Sequence, residues 1–510
     1  MKNVRVIARL DIKGPNVVKG VSFECLRVMG KPVTLAEKYY LDGADEIIYI
    51  DTVASLYQRP IDLALVHETA KRIFVPFTVG GGIKTIADIR ATLKAGADKV
   101  AINTAAIRNP HLIAQAAQVF GSQCIVVSIA AKKIQPGQWE AYTDNTREQT
   151  GMDAAAWAKK AQELGAGEIL LTSVDQDGGQ AGFDLELVEA VSKVLSIPLI
   201  VSGGGGTAED FAGCAGLGAV DGVTAASALH YGALTIQVIK KALTEKKVSV
   251  RNAPLPQKTV SVEVLGEPGL KNYNSYTVRH LAWQQSETGS ARATEAEIVE
   301  PANADIGIVN YGINNLYSVI EAFRAIGKSV RLVETPDQMD AVRCLVLPGM
   351  GAFADGMDEL NQRNLIDTLK QQASSGKPIL GICLGMQLLF SESDEFGHHQ
   401  GLDLIPGRVV MIQSKEPIKI PQIGWNRLAV ADQPNPLFAD LPENGEVYFA
   451  QSYYPVPNRA ETVLATTTYG DQQFCITVQK DNIVGTLFHP EKSGEVGLAI
   501  LKNFCRYYHL

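Results

Sequence analysis

Two short segments in the last third of the 510-residue chain combine the side chains of a nucleophilic site. In Gly381-Ile382-Cys383-Leu384-Gly385, the two glycines allow a sharp strand-to-helix turn that presents Cys383 at a helix N-terminus. The helix dipole at that position favours a thiolate. Further along, Phe488-His489-Pro490-Glu491-Lys492-Ser493 supplies a histidine and a carboxylate. Cys383, His489 and Glu491 therefore form a candidate nucleophile, base and base-orienting carboxylate.

This constellation resembles the class I glutamine amidotransferases, in particular the glutaminase subunit of imidazole glycerol phosphate synthases. Three more segments carry the resemblance: Asn310-Tyr311-Gly312-Ile313-Asn314-Asn315-Leu316, Pro348-Gly349-Met350-Gly351-Ala352-Phe353 and Pro421-Gln422-Ile423-Gly424-Trp425-Asn426. The resemblance implies that Cys383 attacks the side-chain amide of L-glutamine. His489 would then shuttle the proton, and Glu491 would orient His489.

The same resemblance assigns the groups that hold glutamine. They are the Gly349 and Gly351 turn for the oxyanion, together with Gln387, Glu395, Ser452 and Tyr453. Two positions depart from the family pattern, which usually has histidine at both. This chain has Gln422 after Pro421, and Gln451 before Ser452. Both departures lie outside the triad, so they concern regulation and interface contacts more than thioester chemistry.

The first half of the chain alternates apolar β-branched runs with alanine- and leucine-rich stretches. Eight runs are expected as strands: Val4–Leu10, Glu46–Ile50, Pro76–Val79, Lys99–Ile102, Ile125–Ile129, Glu168–Leu171, Pro198–Val201 and Gly222–Thr224. Each is followed by a helical pattern, which predicts a (β/α)8 TIM barrel over residues 1–252. Residues 253–303 have linker composition. Residues 304–510 are predicted to form a class I glutamine amidotransferase α/β domain with a central, largely parallel sheet.

Glycine-rich strand ends mark a ligand site on each half of the predicted barrel. Val79-Gly80-Gly81-Gly82 is followed by Asn103-Thr104, and Ser202-Gly203-Gly204-Gly205-Gly206 by Ala226-Ser227. Glycine lets backbone N–H groups approach a phosphate closely, and barrels carry such sites at their C-terminal face. The duplication, together with the recurrence of Gly43-Ala44-Asp45-Glu46-Ile47 as Gly165-Ala166-Gly167-Glu168-Ile169, indicates two half-barrels and a ligand with two phosphates.

The first half also resembles the cyclase subunit of imidazole glycerol phosphate synthases. Arg9-Leu10-Asp11-Ile12-Lys13, Val17-Val18-Lys19-Gly20, Asn103-Thr104-Ala105-Ala106 and Gly167-Glu168-Ile169-Leu170-Leu171-Thr172-Ser173 carry this likeness. It implies a bisphosphorylated ribotide substrate, cyclised with ammonia in histidine biosynthesis, and Asp11 as general acid/base. Substrate and phosphate binding is expected of Lys19, Gly81, Gly82, Asn103, Thr104, Asp177, Gly178, Gly203, Gly204 and Ser227.

One barrel position departs sharply from the family. Ala130 stands where the family has the aspartate that partners Asp11, and losing a positioned acid/base typically costs about 10² to 10⁴ in rate. The aspartate could have been removed deliberately to trap substrate, or Asp177 or Asp51 could take its role. Alternatively, the barrel handles a different acceptor or mainly conducts ammonia. Arg9, where the family has a small residue or cysteine, is a second departure.

Fusion of the two units implies ammonia transfer within one chain. By resemblance, Arg5, Glu46, Lys99 and Glu168 form a gate at the N-terminal mouth of the barrel. Asp98 and Lys492 fall where the family forms a salt bridge between the two units, and Trp425 belongs to the same intramolecular interface.

Bulk properties narrow the function classes. A net charge of −8 argues against a nucleic-acid surface, and no apolar run is long enough to span a membrane. Seven scattered cysteines without metal-ligand spacing predict a cytoplasmic protein with no metal and no cofactor. Three functions stay open: an imidazole glycerol phosphate synthase, a paralogous amidotransferase that serves another acceptor such as a surface sugar, or a regulatory barrel that controls the glutaminase.

Overall fold

The computed structural model describes residues 3–22, 24–252, 304–312, 316–431, 435–443 and 445–510. The predicted linker, residues 253–303, lies outside these ranges. Among the described residues, no helix has the length and apolar character needed to cross a bilayer.

The strands of the first domain form a sheet that closes on itself. They are β1 (Arg5–Lys13), β2 (Asn16–Val21), β3 (Glu24–Gly30), β4 (Glu46–Asp51), β5 (Phe77–Gly80), β6 (Lys99–Ile102), β7 (Ile125–Gln135), β8 (Gln138–Thr143), β9 (Glu148–Asp153), β10 (Glu168–Ser173), β11 (Leu199–Ser202) and β12 (Gly222–Ala225). Eight of them pair in parallel in the order β1, β4, β5, β6, β7, β10, β11 and β12, and β12 pairs with β1. The eight-stranded barrel expected from the sequence is confirmed.

Helices alternate with the barrel strands and bury the outward-facing strand residues. They are α1 (Pro32–Leu41), α2 (Leu63–Ala70), α3 (Ile86–Lys94), α4 (Thr104–Arg108), α5 (His111–Phe120), α6 (Ala154–Glu163), α7 (Leu185–Ser192), α8 (Ala208–Ala215), α9 (Ser227–His230) and α10 (Ile236–Glu245). Two of these helices begin with equivalent capping boxes, formed by Thr85 with Asp88 and by Thr207 with Asp210. Both helices directly follow a glycine-rich strand end. The two half-barrels therefore share the same helix cap as well as the same sequence pattern.

The two longest barrel strands are extended by hairpins at equivalent places in the two halves. Beyond the barrel rim, β1 pairs with β2 and β2 with β3, and in the same way β7 pairs with β8 and β8 with β9. This antiparallel pairing allows β1 to continue to Lys13 and β7 to Gln135. Asp11 and Ala130 lie on these two long strands, at the C-terminal face of the barrel.

Alternation along β1 sorts its residues between the helices and the barrel interior. Even-numbered residues pack in the core shared with the helices, whereas Arg5, Ile7, Arg9 and Asp11 belong to the inward-facing set. Above the charged first layer lies an apolar layer of Ile7, Ile48, Ala101, Val126, Leu170 and Ile200. The barrel interior is therefore layered from a charged mouth, through an apolar passage, to a polar site.

The second domain is built on a mixed sheet. Its strands are β13 (Ala304–Val309), β14 (Val330–Val333), β15 (Val342–Leu347), β16 (Ile379–Ile382), β17 (Phe390–Ser393), β18 (His399–Gln400), β19 (Ile405–Met411), β20 (Gln422–Arg427), β21 (Ala429–Val430), β22 (Glu446–Gln451), β23 (Tyr453–Pro457), β24 (Val463–Tyr469), β25 (Gln472–Lys480) and β26 (Ile483–Thr486). The main sheet has the order β14, β13, β15, β16, β26, β25, β24, β21; its first five strands are parallel and the rest antiparallel. The predicted largely parallel core is confirmed.

The helices of this domain are α11 (Leu316–Ala325), α12 (Pro336–Asp340), α13 (Phe353–Gln362), α14 (Ile366–Ser374), α15 (Leu384–Leu388) and α16 (Gly494–Tyr507). Two smaller sheets accompany the main one. Strands β20 and β22 form a two-stranded sheet that lies against the barrel, because Ile423, Trp425, Tyr448 and Ala450 are buried in the barrel's hydrophobic core cluster.

Three aspartates fix the N-terminal rim of the barrel. Asp45, Asp98 and Asp221 each immediately precede a barrel strand. Each carboxylate accepts a backbone N–H from the neighbouring strand, at distances of 2.7–2.8 Å. A buried carboxylate that ties one strand to the next holds the rim in a defined shape.

The second domain docks on these same aspartates. Lys492 Nζ lies 2.9 Å from Asp98 Oδ2, and Lys419 Nζ lies 2.6 Å from Asp221 Oδ2. The indole N–H of Trp425 donates to the Asp45 carbonyl oxygen at 3.0 Å. The intramolecular interface is therefore attached to the groups that shape the barrel mouth.

Asp45→Ala should destabilise the protein strongly. The Asp45 carboxylate is fully buried and binds Lys240 and Arg251, each at 2.6 Å, so its loss leaves two buried cations without their anion. Breaking a buried pair in this way costs about 3 to 5 kcal/mol. Urea denaturation would measure the loss. Asp62→Ala, which removes an exposed helix cap that accepts from Leu65, should cost only about 1 kcal/mol. Equal losses would contradict this account.

Candidate active sites

Cys383 occupies a strained turn between β16 and α15. Its backbone has φ 52° and ψ −109°, a conformation that non-glycine residues rarely adopt, and its N–H donates to the Thr486 carbonyl at 2.7 Å. A side chain at Gly385 would collide with the Leu347 carbonyl oxygen. The strand-to-helix turn expected from the sequence is present, and its second glycine is required by close packing.

His489 and Glu491 form the rest of the predicted triad. His489 Nδ1 lies 2.8 Å from Glu491 Oε1, so Nδ1–H donates to the carboxylate. The imidazole is buried, and its side chain interacts with the Cys383 thiol as well as with Glu491. Burial lowers the pKa of His489, but Cys383 and Glu491 outweigh it and raise the pKa well above its ordinary value.

The strand β22 holds the histidine segment in place. The backbone N–H of His489 donates to the Tyr448 carbonyl at 3.0 Å, and Ser493 Oγ accepts from the Tyr448 N–H at 3.0 Å. The same hydroxyl donates to the His489 carbonyl at 2.6 Å. Because Tyr448 packs against Trp425 at the barrel surface, the triad lies beside the domain interface.

The predicted glutamine-binding residues lie around the Cys383 helix. The Gln387 side chain donates to the Tyr453 carbonyl at 3.1 Å. The carbonyl of Ser452, the residue before Tyr453, accepts from the Ile412 N–H at 2.8 Å. Glu395 accepts the Phe353 N–H at 2.7 Å. This contact ties Glu395 to the start of α13, directly after the predicted oxyanion turn.

The oxyanion turn is tightly packed. A side chain at Gly349 would meet the hydroxyl of Tyr311, which itself donates to the Pro348 carbonyl at 2.6 Å. Gly351 has φ 130° and faces the Val119 carbonyl of the barrel. The turn therefore needs glycine at both positions, and it touches the domain that would receive the ammonia.

The four predicted gate residues form a closed ring of ion pairs. Arg5 binds Glu46 at 2.7 Å and also binds Glu168, while Lys99 binds Glu46 at 2.7 Å and Glu168 at 2.6 Å. All four are buried at the first positions of β1, β4, β6 and β10. Burial alone would raise the pKa of Glu168, but Arg5 and Lys99 outweigh it and lower the pKa to about 2.

The predicted phosphate-binding residues divide between two cavities at the C-terminal face. A cavity of about 370 Å³ is lined by Gly81, Gly82, Asn103 and Thr104. A second, small cavity is lined by Lys19, Asp177, Gly178, Gly203, Gly204 and Ser227. The structure thus brings every residue of the predicted set to one of two places at this face of the barrel.

Asp11 is held between two cations. Arg9 Nε and Lys19 Nζ each lie 2.9 Å from the Asp11 carboxylate, and Lys19 also binds Asp177 at 2.9 Å. Burial acts to raise the pKa of Asp11, but Arg9 and Lys19 outweigh it and hold the pKa well below its usual range. Asp11 is therefore a firmly ionised carboxylate, which makes it a poor proton donor.

Arg9 has a larger part in the site than its sequence position alone indicated. Its Nη1 donates to Thr172 Oγ1 and Ser202 Oγ, both at 2.9 Å, and its side chain lines the larger cavity. Thr172 is the register partner of Ala130, so the guanidinium reaches the neighbourhood of the missing carboxylate. The sequence did contain a signal for this role, because the alternation along β1 places odd-numbered residues such as Arg9 inside the barrel.

The two carboxylates considered as substitutes for that group have other contacts. Asp177 is bound to Lys19. Asp51 lines the larger cavity, pairs with Arg59 at 2.7 Å and accepts the Val53 and Ala54 N–H groups. Burial raises the pKa of Asp51 against the effect of Arg59, which favours the protonated form of this carboxyl.

The Michaelis constant for glutamine should depend on pH through Glu395. Burial raises the pKa of Glu395 to about 7, so most of the carboxylate is protonated at pH 6 and ionised at pH 8. If the ionised form holds the substrate's ammonium group, KM for glutamine should rise about tenfold from pH 8 to pH 6. Initial-rate measurements of glutamate release would show this. Glu395→Gln should have a high KM that no longer changes with pH; a flat wild-type profile would exclude this role.

Comparisons with known proteins agree with the two-part architecture. Residues 5–235 match the family described as "Histidine biosynthesis protein", and residues 307–507 match "Glutamine amidotransferase class-I". The chain is 59% identical over 211 residues to the imidazole glycerol phosphate synthase subunit HisF of Legionella pneumophila, covering 41% of this chain and 100% of the relative. It is 48% identical over 247 residues to the HisF subunit of Natranaerobius thermophilus, covering 48% and 98% respectively. The chain is thus an enzyme of the imidazole glycerol phosphate synthase family, with a HisF-like cyclase barrel fused to a class I glutamine amidotransferase domain.

Proposed function

We propose that the protein hydrolyses L-glutamine at Cys383 and delivers the ammonia through its own barrel to a bisphosphorylated ribotide. The observation that carries this proposal is the contact between Lys492 and Asp98. Lys492 directly follows Glu491 of the triad, and Asp98 directly precedes Lys99 of the ring. One buried ion pair therefore joins the glutaminase site to the barrel mouth.

The glutaminase step follows the usual chemistry of a cysteine nucleophile. Cys383 Sγ attacks the side-chain amide carbon, and the proton of the thiol moves through His489 to the leaving nitrogen. The C–N bond breaks to leave a thioester and ammonia, and water then hydrolyses the thioester to glutamate. Glu491 keeps His489 in the required tautomer through the Nδ1 contact.

Ammonia transfer requires the ring to open, because its four ion pairs close the mouth of the barrel. Arg5 is additionally held by the Asp221 carbonyl at 3.4 Å, whereas Lys99 carries its ammonium on a flexible stem. Movement of Lys99 is therefore the simpler way to open it. Beyond the ring, the apolar layer excludes water and would keep ammonia unprotonated.

At the far end, the two cavities fit an acceptor with a phosphate at each end. In the imidazole glycerol phosphate synthase reaction, the ribotide known as PRFAR takes up ammonia and is cleaved to imidazole glycerol phosphate and AICAR. This is our first proposal for the reaction in the barrel. The layered interior supports it, since the passage ends at Arg9 and Asp11, between the two cavities.

A second candidate is a paralogous amidotransferase that serves another acceptor. It is favoured by the Arg9–Asp11 ion pair, which neutralises the remaining family carboxylate while Ala130 supplies no second one. Such a barrel would bind a different electrophile, for example part of a surface sugar. A cyclase-disabled variant of the first enzyme would have the same appearance.

Ammonia-dependent cyclisation of PRFAR distinguishes these functions. We expect slow turnover by the wild-type protein and an increase of at least about 10² in Ala130→Asp, because that change restores a second acid/base. Cys383→Ser should lose glutamine-dependent turnover but keep turnover driven by ammonium chloride. Glutamate release without cyclisation by either the wild type or Ala130→Asp would rule out the first candidate in favour of the second. Absence of glutamate release would reject the glutaminase proposal itself.

A further inference from the structure

Gln422 and Gln451, the two positions at which the glutaminase departs from its family's pattern, form one hydrogen-bonded unit. They are register partners on β20 and β22, and Gln451 Nε2 donates to Gln422 Oε1 at 2.8 Å. Both side chains are only 3% exposed. Within the described residues, Gln451 Oε1 is buried and has no hydrogen-bond partner.

An orphaned amide oxygen of this kind is costly. A buried acceptor without a donor has given up its hydrogen bonds to water and gained none in exchange, so it needs a partner. The bond to Gln422 uses Nε2 and thereby fixes which end of the Gln451 amide stays unpaired. The unpaired end is the oxygen, and a ligand that satisfied it would have to bring an N–H or O–H donor.

Gln451 directly precedes Ser452 and Tyr453, two of the predicted glutamine-binding residues. The Tyr453 carbonyl accepts from Gln387 on the Cys383 helix. Alternation along β22 places Gln451 on the same face as Phe449, whose ring packs 6.1 Å from that of Phe488, next to His489. The free oxygen therefore lies at the end of a strand that bonds the histidine segment through Tyr448, two residues before the Tyr453 carbonyl that bonds the Cys383 helix.

We propose that Gln451 Oε1 accepts an N–H of the side-chain carboxamide of L-glutamine, and that Gln422 is the positioning residue that presents this oxygen. The inference rests on the proposed glutaminase function and adds a substrate contact to it. The contact selects an amide over an ester or acid, because only the amide nitrogen carries N–H donors. It persists when the C–N bond breaks, since ammonia is also an N–H donor.

The test compares Gln451→Leu on L-glutamine and on the γ-methyl ester of L-glutamate, which has no N–H at the scissile bond. Loss of one neutral hydrogen bond should lower kcat/KM for glutamine by up to about tenfold and leave kcat/KM for the ester within about twofold. Gln473→Leu, which changes an exposed glutamine that bonds Thr466, serves as the matched control and should change neither value.

Two variants at position 422 test the positioning role. Gln422→Glu keeps an acceptor for Gln451 Nε2, whereas Gln422→Leu removes it. We expect Gln422→Glu to retain more of the glutamine kcat/KM than Gln422→Leu, with the ester affected little by either. Equal losses on glutamine and ester in Gln451→Leu would show a purely structural role and overturn this inference alone. A wild-type protein that hydrolyses neither substrate would overturn the proposed glutaminase function and the inference together.

Discussion

The ring of Arg5, Glu46, Lys99 and Glu168 is the constraint on which the rest of the structure depends. Four charges without access to water are stable only if each meets an opposite charge at short range, and each of these meets two. That requirement fixes the first residues of four barrel strands. The neighbouring aspartates then bond the strands to one another and also bind residues of the second domain. The barrel mouth and the domain interface therefore share the same side chains.

The contacts at the barrel rim also determine the position of the glutaminase site. Lys492 docks on Asp98, and the preceding His489 and Glu491 are thereby placed over the barrel mouth. On the other side of the mouth, Lys419 and Trp425 hold the start of β20, and Gln422 connects that strand to β22. The groups that would make ammonia and the groups that would admit it are thus attached to the same rim.

The C-terminal face of the barrel combines two cavities with a cluster of charges between them. Glycines line both cavities. Between them, Arg9 and Lys19 enclose Asp11, and Ala130 stands where the family pattern has a second carboxylate. A guanidinium near that position changes which atoms of an acceptor can be stabilised, since it favours oxygen that bears negative charge. The glycine-lined cavities and the charges between them are therefore separate features of this barrel.

Much of the architecture was determined by the sequence alone. The period of the apolar runs predicted eight barrel strands, and the Gly381-to-Gly385 turn with Phe488-to-Ser493 predicted the cysteine, histidine and glutamate that the structure places beside one another. These are local signals, because strand alternation and turn glycines act over a few residues. Only the tertiary structure decided that Arg9 pairs with Asp11 and that Gln422 binds Gln451. Each of these contacts depends on the distance and direction between two side chains. Strand register, barrel closure and domain docking determine that geometry, and they are properties of the whole fold.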